Sequence, residues 1–172
     1  YYGIFARQAW ASTNCSGQSY VQNTFESWDV TTAGAPARLS SLDFGKPNET
    51  VRGTAFDVSR QAAYAITAQQ IDPLYVLSFA DRNHLNIRSA IDGLSGDMTV
   101  FRLVEGNNFL VGIGRDASET CSGTQGTETR RNVGIAVSLI DVRNLDAIRL
   151  VQRQCVAVDG DWVSSEVTWN LD

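Results

Sequence analysis

Apolar and polar residues alternate along this chain in short runs, and turn-forming residues separate the runs. Leu85, Ile87, Ser89 and Ile91 fall on one face of an extended segment, with Asn86, Arg88 and Ala90 on the other. Val100, Arg102 and Val104 alternate in the same way against Phe101 and Leu103. A period of two is the mark of a β-strand. Residues 63–66 and 108–113 are apolar on both sides, as inner strands buried on both faces must be. The pattern predicts strands at 4–12, 20–30, 37–44, 50–57, 62–69, 74–80, 85–92, 97–104, 108–114, 134–142, 147–156 and 162–170. A helical wheel over 138–152 would gather Leu139, Val142, Leu145 and Ile148. However, β-branched residues and Asp/Asn interruptions favour strands there and at 79–94.

The strands come in a repeated phrase. Trp28-Asp29-Val30 is followed, after a turn, by Ala37-Arg38-Leu39-Ser40-Ser41-Leu42. Leu77-Ser78-Phe79-Ala80-Asp81 leads into Leu85-Asn86-Ile87-Arg88-Ser89-Ala90-Ile91, and Leu139-Ile140-Asp141-Val142 into Ala147-Ile148-Arg149-Leu150-Val151. Recurrence at about fifty to sixty residues is the spacing of propeller blades or related β arrays. The turns between strands have mechanisms of their own. Glu105-Gly106-Asn107-Asn108 tolerates positive φ and signals a hairpin. Ile71-Asp72-Pro73-Leu74 bends through proline's fixed φ, and Asp159-Gly160-Asp161 is a further tight turn. Residues 115–133, rich in Ser, Thr, Gly and charge, read as a long solvated loop of the kind that carries function.

Composition narrows the class. The 172 residues are 43% hydrophobic and 19% charged, which suits one globular domain with a sizeable core. A net charge of −5 argues against attraction to a nucleic-acid backbone or an anionic lipid surface. No apolar run is long enough to cross a bilayer as a helix. Lys46 is the lone lysine beside thirteen arginines, a bias for which the sequence offers no physical account. The three cysteines, Cys15, Cys121 and Cys155, leave at least one unpaired within this chain. Cys15 and Cys121 have polar, exposed-looking flanks, so a disulfide in an oxidising compartment is expected.

From Val51 to Asp172 the chain resembles a bacterial and archaeal extracellular β-propeller domain distantly related to WD repeats. The residues that carry the resemblance are Ala65-Ile66-Thr67 through Gln70-Ile71-Asp72-Pro73-Leu74-Tyr75-Val76-Leu77, then Asn108-Phe109-Leu110-Val111-Gly112-Ile113-Gly114-Arg115-Asp116, then Ala136-Val137-Ser138-Leu139-Ile140-Asp141-Val142. Where the family has Asp-Pro after the third strand of a blade, this chain has Asp81-Arg82 and Asp141-Val142. The resemblance implies an all-β fold of four-stranded antiparallel blades, incomplete within this chain, and it supplies no catalytic residues. With strands lettered a to d from the axis outward, residues 1–172 form part of one propeller domain. They hold strands b-c-d of one blade, two full blades and strand a of a fourth. Propellers close with about four to eight blades. The chain is therefore expected either to be part of a longer polypeptide or to close a ring with a second copy, and the first is preferred because the family's domains are continuous. In this lettering the b–c and d–a loops share one rim, which brings Cys121 and Cys155 to the same side and makes them the expected pair, with Cys15 left for an outside partner.

Chemical candidates are few. Gly112-Ile113-Gly114-Arg115-Asp116-Ala117 matches a dinucleotide fingerprint, but loop residues follow where the mechanism needs a helix N-terminus. His84 is the single histidine and sits in a predicted turn, which suits a solvated side chain better than a catalytic base. Asp159 and Asp161 are the candidate ligands for calcium, the one cofactor considered; a calcium-stabilised structural module is the corresponding reading. Trp10, Trp28, Trp162 and Trp169 read as core side chains before they read as sugar platforms. Asn14-Cys15-Ser16 and Asn48-Glu49-Thr50 match the glycosylation acceptor pattern.

These readings converge on a non-enzymatic scaffold, extracellular or on the cell surface, that binds protein partners or the remaining blades through its loop rim. No nucleic-acid partner is expected. The alternative is a glycan-binding protein or an enzyme that uses the central face, with ligands from inner-strand ends such as Asp57 and Glu105.

Overall fold

The computed structural model describes residues 2–12, 19–68, 72–94, 97–116 and 134–157. They form eleven strands: β1 (Tyr2–Ser12), β2 (Ser19–Asp29), β3 (Ala37–Phe44), β4 (Thr50–Asp57), β5 (Ala62–Ala68), β6 (Asp72–Ser78), β7 (Asn86–Leu94), β8 (Asp97–Val104), β9 (Phe109–Asp116), β10 (Gly134–Asp141) and β11 (Arg149–Ala157). No helix occurs among the described residues. The strand predicted at 162–170 lies outside them.

Every pairing joins sequence neighbours, and every pairing is antiparallel. The first sheet is β1-β2-β3, the second β4-β5-β6-β7 and the third β8-β9-β10-β11. The sheets pack face to face in chain order. The first strands of the second and third sheets, β4 and β8, lie against one another. Consecutive meanders stacked this way, with their leading strands converging, are propeller blades.

The second sheet explains its own sequence. On β5, Ala62, Tyr64 and Ile66 point to the third sheet and join Leu74, Val76, Met98, Leu110, Ile140 and Val142 in one core. Ala63 and Ala65 point the other way and join Phe25, Phe44, Leu77, Phe79 and Leu85 against the first sheet. The small residues on that side leave room for large rings. Phe25 meets Phe79 at 6.5 Å between centroids, and Phe44 meets Tyr75 edge-on at 5.8 Å. A strand with water on neither face must be apolar at odd and even positions alike, which is why 63–66 lacks alternation.

The outermost faces differ. On the third sheet Val111, Ile113 and Leu139 are half-buried and Val137 is 38% exposed, all on the face opposite the core that Leu110 and Ile140 join. The first sheet instead presents the Glu26 carboxylate, 5% exposed, which accepts from Trp28 Nε1 at 3.0 Å, Arg7 Nη2 at 3.1 Å and Arg38 Nη1 at 3.4 Å. Trp28 is therefore half-buried on an outer face and does not fill a gap between sheets.

Polar links fix the connections. Between the first and second sheets, Asn48 accepts at Oδ1 from the Val21 amide and donates its own amide to Val21 O. The Glu49 carboxylate is buried and accepts from Thr67 Oγ1 at 2.7 Å and the Lys46 amide at 2.9 Å. Gly45 stands there at φ +78, where a Cβ would lie 2.9 Å from Glu49 Oε2. The β8–β9 hairpin takes positive φ at Gly106 and Asn107, as its sequence predicts, and at Glu105 as well.

Between the second and third sheets the link is Arg60, in the turn after β4. Its guanidinium donates to Asp57, to Tyr64 Oη at 2.9 Å, to Val142 O at 2.7 Å and to Asn107 O. Burial pushes the Asp57 carboxyl up, but hydrogen bonds from Ser59 and Arg60 outweigh it and hold the group below its ordinary value. Burial also pushes the Tyr64 phenol up to about 12, so it stays protonated. Removing one partner of a buried ion pair leaves the other charge unpaired, so Arg60→Met is expected to cost about 3 kcal/mol in denaturant unfolding, with Arg60→Lys recovering little because an ammonium lacks the planar fork. A cost below about 0.5 kcal/mol, the scale of a surface substitution, would remove Arg60 from this role.

Candidate functional site

In each sheet the last two strands are joined by a loop, and the three loops have one design. Cross-strand pairs frame them at the same interval: Asp29 with Ala37, Ser78 with Asn86, Asp141 with Arg149. The first framing residue caps the loop through its side chain. Asp29 Oδ1 accepts from the Thr31 amide at 2.8 Å, Ser78 Oγ from the Ala80 amide at 3.3 Å and Asp141 Oδ1 from the Arg143 amide at 3.1 Å. Three residues on, a second turn forms. Asp81 and Asn144 repeat the device on the amides of Asn83 and Asp146, and Thr32 holds the place in the first loop with a backbone turn to Ala35. Asp, Asn and Ser hold such turns because their short side chains reach the amide two residues ahead. The equivalents are therefore Asp29, Ser78 and Asp141, and then Thr32, Asp81 and Asn144.

Each outermost strand also carries a β-bulge at one equivalent place. The register skips Leu39 on β3, Arg88 on β7 and Val151 on β11. A bulge leaves its extra residue out of the ladder and re-aims the side chain. From β7, Arg88 crosses to the third sheet and grips Asp146, with Nε to Oδ1 at 2.8 Å and Nη2 to Oδ2 at 2.5 Å. Beside it Ser89 Oγ donates to Leu145 O at 2.7 Å. At the boundary between the first and second sheets the equivalents of Arg88 and Asp146 are Leu39 and Asn83, which cannot make that pair. A hollow of about 360 Å³ stands there, lined by Tyr2, Asp29, Leu39, Asp81, Arg82 and Asn83. The Arg82 guanidinium lies over the Tyr2 ring, 4.0 Å from its centroid. Ser27 Oγ donates to Arg82 O and so fixes the loop to the first sheet.

The electrostatics of this rim are those of ionised carboxylates. Hydrogen bonds from the side chain and amide of Thr31 hold Asp29 below its ordinary value. The Asn83 amide, followed by the His84 ring, does the same for Asp81. The Arg143 side chain, its amide and then Arg149 hold Asp141 far below the usual carboxylate range.

His84 is exposed and pairs with Asp81 at 2.9 Å inside its own turn, as a solvated turn histidine does. Gly112 and Gly114 lie within β9. A Cβ on Gly112 would come 2.7 Å from Met98 Sδ, so close packing accounts for that glycine without a nucleotide. Asp57, expected to be open as a ligand on the central face, is buried and committed to Ser59 and Arg60. Glu105 is exposed at its hairpin. Cys155 is half-buried on β11, opposite Ala136. Asp159, Asp161, Cys15, Cys121, Trp162, Trp169 and most of the 115–133 loop lie outside the described residues. Among the described residues no three His, Cys, Asp or Glu side chains are grouped to hold a metal, and no helix is long and apolar enough to cross a membrane.

The family described as Beta propeller domain matches residues 33–172. The chain belongs to that family. The match spans the second and third sheets and reaches back through the loop that precedes β3. No curated protein matches this propeller chain, and no solved structure does.

The folded pKa values of Asp29, Asp57, Asp81 and Asp141 lie below their unfolded values, so their contribution is complete above the unfolded carboxylate range and fades as pH falls toward the folded values. The urea midpoint is therefore expected to hold level from pH 7 to about 5 and then fall steadily toward pH 2. A midpoint that rises on acidification would contradict the assignment.

Proposed function

We propose that this propeller domain is a non-enzymatic scaffold, extracellular or on the cell surface, that binds other proteins through its loop rim. One observation carries the reading. The rim loops share one backbone of two successive turns, capped twice by side chains in the second and third sheets and once in the first, yet they differ from blade to blade in the residues they present. A rigid frame with variable side chains suits recognition. The rim carboxylates Asp29, Asp81 and Asp141 brace their own turns, and His84 faces its own loop's Asp81 and no nucleophile that the structure describes. A net charge of −5 speaks against nucleic acid as the partner.

An oxidising compartment agrees with the proposed Cys121–Cys155 disulfide. Cys155 sits opposite Ala136, close to the point where the segment carrying Cys121 enters β10. A non-reducing peptide map is expected to return that cross-link, and a Cys15–Cys121 link would contradict it.

The scaffold reading is tested by a photo-crosslinking residue placed at Asn83 in the full chain, on intact cells of the native host. Discrete protein adducts, absent when the probe sits at Glu105, are the expected result. Absence of any protein adduct, together with reproducible retention of one sugar class on a glycan array, would replace the scaffold with the glycan-binding alternative.

A further inference from the structure

We propose that the hollow between the first and second sheets is a receptor for a cationic side chain, an arginine or lysine on a polypeptide partner. The inference rests on the protein-binding reading and gives it a chemistry.

The two boundaries are equivalent. Both are framed by the same capped loop and the same bulge. At the boundary between the second and third sheets, the protein fills the space itself. The Arg88 stem crosses from the bulge and its guanidinium ends on Asp146 in two parallel hydrogen bonds. Ser89 closes the gap beside it on Leu145 O. At the boundary between the first and second sheets, Leu39 stops short and Asn83 brings no charge, so the space stays open at about 360 Å³. What is missing there is the carboxylate at the place of Asn83 and, opposite it, a guanidinium on an aliphatic stem.

The walls suit such a group. Leu39 and Ala80 offer apolar surface to a methylene stem. Asp29 and Asp81 supply two carboxylates, each held in place by an amide of its own loop. Arg82 contributes one positive charge, which leaves the lining acidic by one unit with His84 neutral. Its stacking on Tyr2 shows that the ring face already holds a guanidinium at 4.0 Å. An anion would meet two carboxylates against the single Arg82 guanidinium, and a purely apolar group would strip water from them without return. A cation on a flexible stem avoids both penalties.

The probe is L-argininamide, titrated into the isotope-labelled full chain and followed by backbone and methyl NMR. Saturable shifts are expected at Leu39, Ala80 and Asn83, with midpoints in the millimolar range, and none from N-acetylglutamate amide. Two variants test the site. Asp29→Asn with Asp81→Asn should weaken binding at least tenfold. Leu39→Arg with Asn83→Asp should rebuild the ion pair of the neighbouring boundary, fill the hollow and abolish the shifts; if that variant does not fold, the carboxamide pair still decides. Absence of saturable shifts at the three residues, or shifts that survive in a folded filled variant, overturns the proposal. These outcomes are separate from the scaffold reading. Protein adducts from Asn83 without argininamide binding would leave a scaffold that recognises something other than a cation, and argininamide binding without adducts would leave the receptor without its partner class.

Discussion

From Ala62 to Thr67 every side chain of β5 is buried, whichever way it points. This two-sided burial is the constraint on which the molecule depends. Each fully buried Val, Leu, Ile or Phe contributes about 1.5–3 kcal/mol of transfer free energy, and the second sheet collects that contribution on both faces. It also fixes the order of the stack, because no water-facing side remains for the second sheet to turn outward. The outer sheets have one such face each. The first sheet's is polar and closed by the Glu26 network, while the third sheet's is apolar. That difference gives the stack a direction.

Burial alone would leave the sheets able to slide. Directional polar contacts at the boundaries prevent this, and between the second and third sheets most of those described are made by arginine. Arg60 serves Asp57, a phenol and two backbone carbonyls at once. Arg88 meets Asp146 with two nitrogens, and within the third sheet Arg143 and Arg149 converge on Asp141. A planar guanidinium with five donors can bridge several fixed acceptors, and an ammonium on a free stem cannot. At Arg60, Arg88, Arg143 and Arg149 the preference for arginine over lysine thus has a physical account in the fold. The same economy shapes the candidate site. Where the bulge residue is an arginine the boundary is sealed, and where it is a leucine the boundary stays open.

Much of the architecture was legible in the sequence because it follows from period and turn chemistry. Eleven of the predicted strands appear within a few residues of their expected bounds, and the doubly apolar 63–66 run is the doubly buried strand. The site was less legible. The repeated phrase draws attention to Asp29, Asp81 and Asp141, yet the equivalent of Asp81 is Asn144, because Ser78 takes the first capping place. A hydroxyl and a carboxylate can cap the same turn, so matching by residue type misaligns the phrase by three positions. The bulges were hidden for a related reason. An extra residue changes register without changing composition, and Leu39 and Arg88 look unrelated until the ladders are paired. Aligning Ala37-Arg38-Leu39-Ser40 with Asn86-Ile87-Arg88-Ser89 through their shared serine is the signal that would have found them. Asp57 misled for the opposite reason. A strand-end carboxylate looks available until its arginine is seen.

Native-state hydrogen exchange tests the two-faced burial most directly. The amides of β5 and β6 are expected to be the slowest in the molecule and to exchange only through global unfolding, with β1, β3 and β11 opening earlier. If the amides of an outer sheet outlast those of β5 and β6, the second sheet is not the element on which the stack is built.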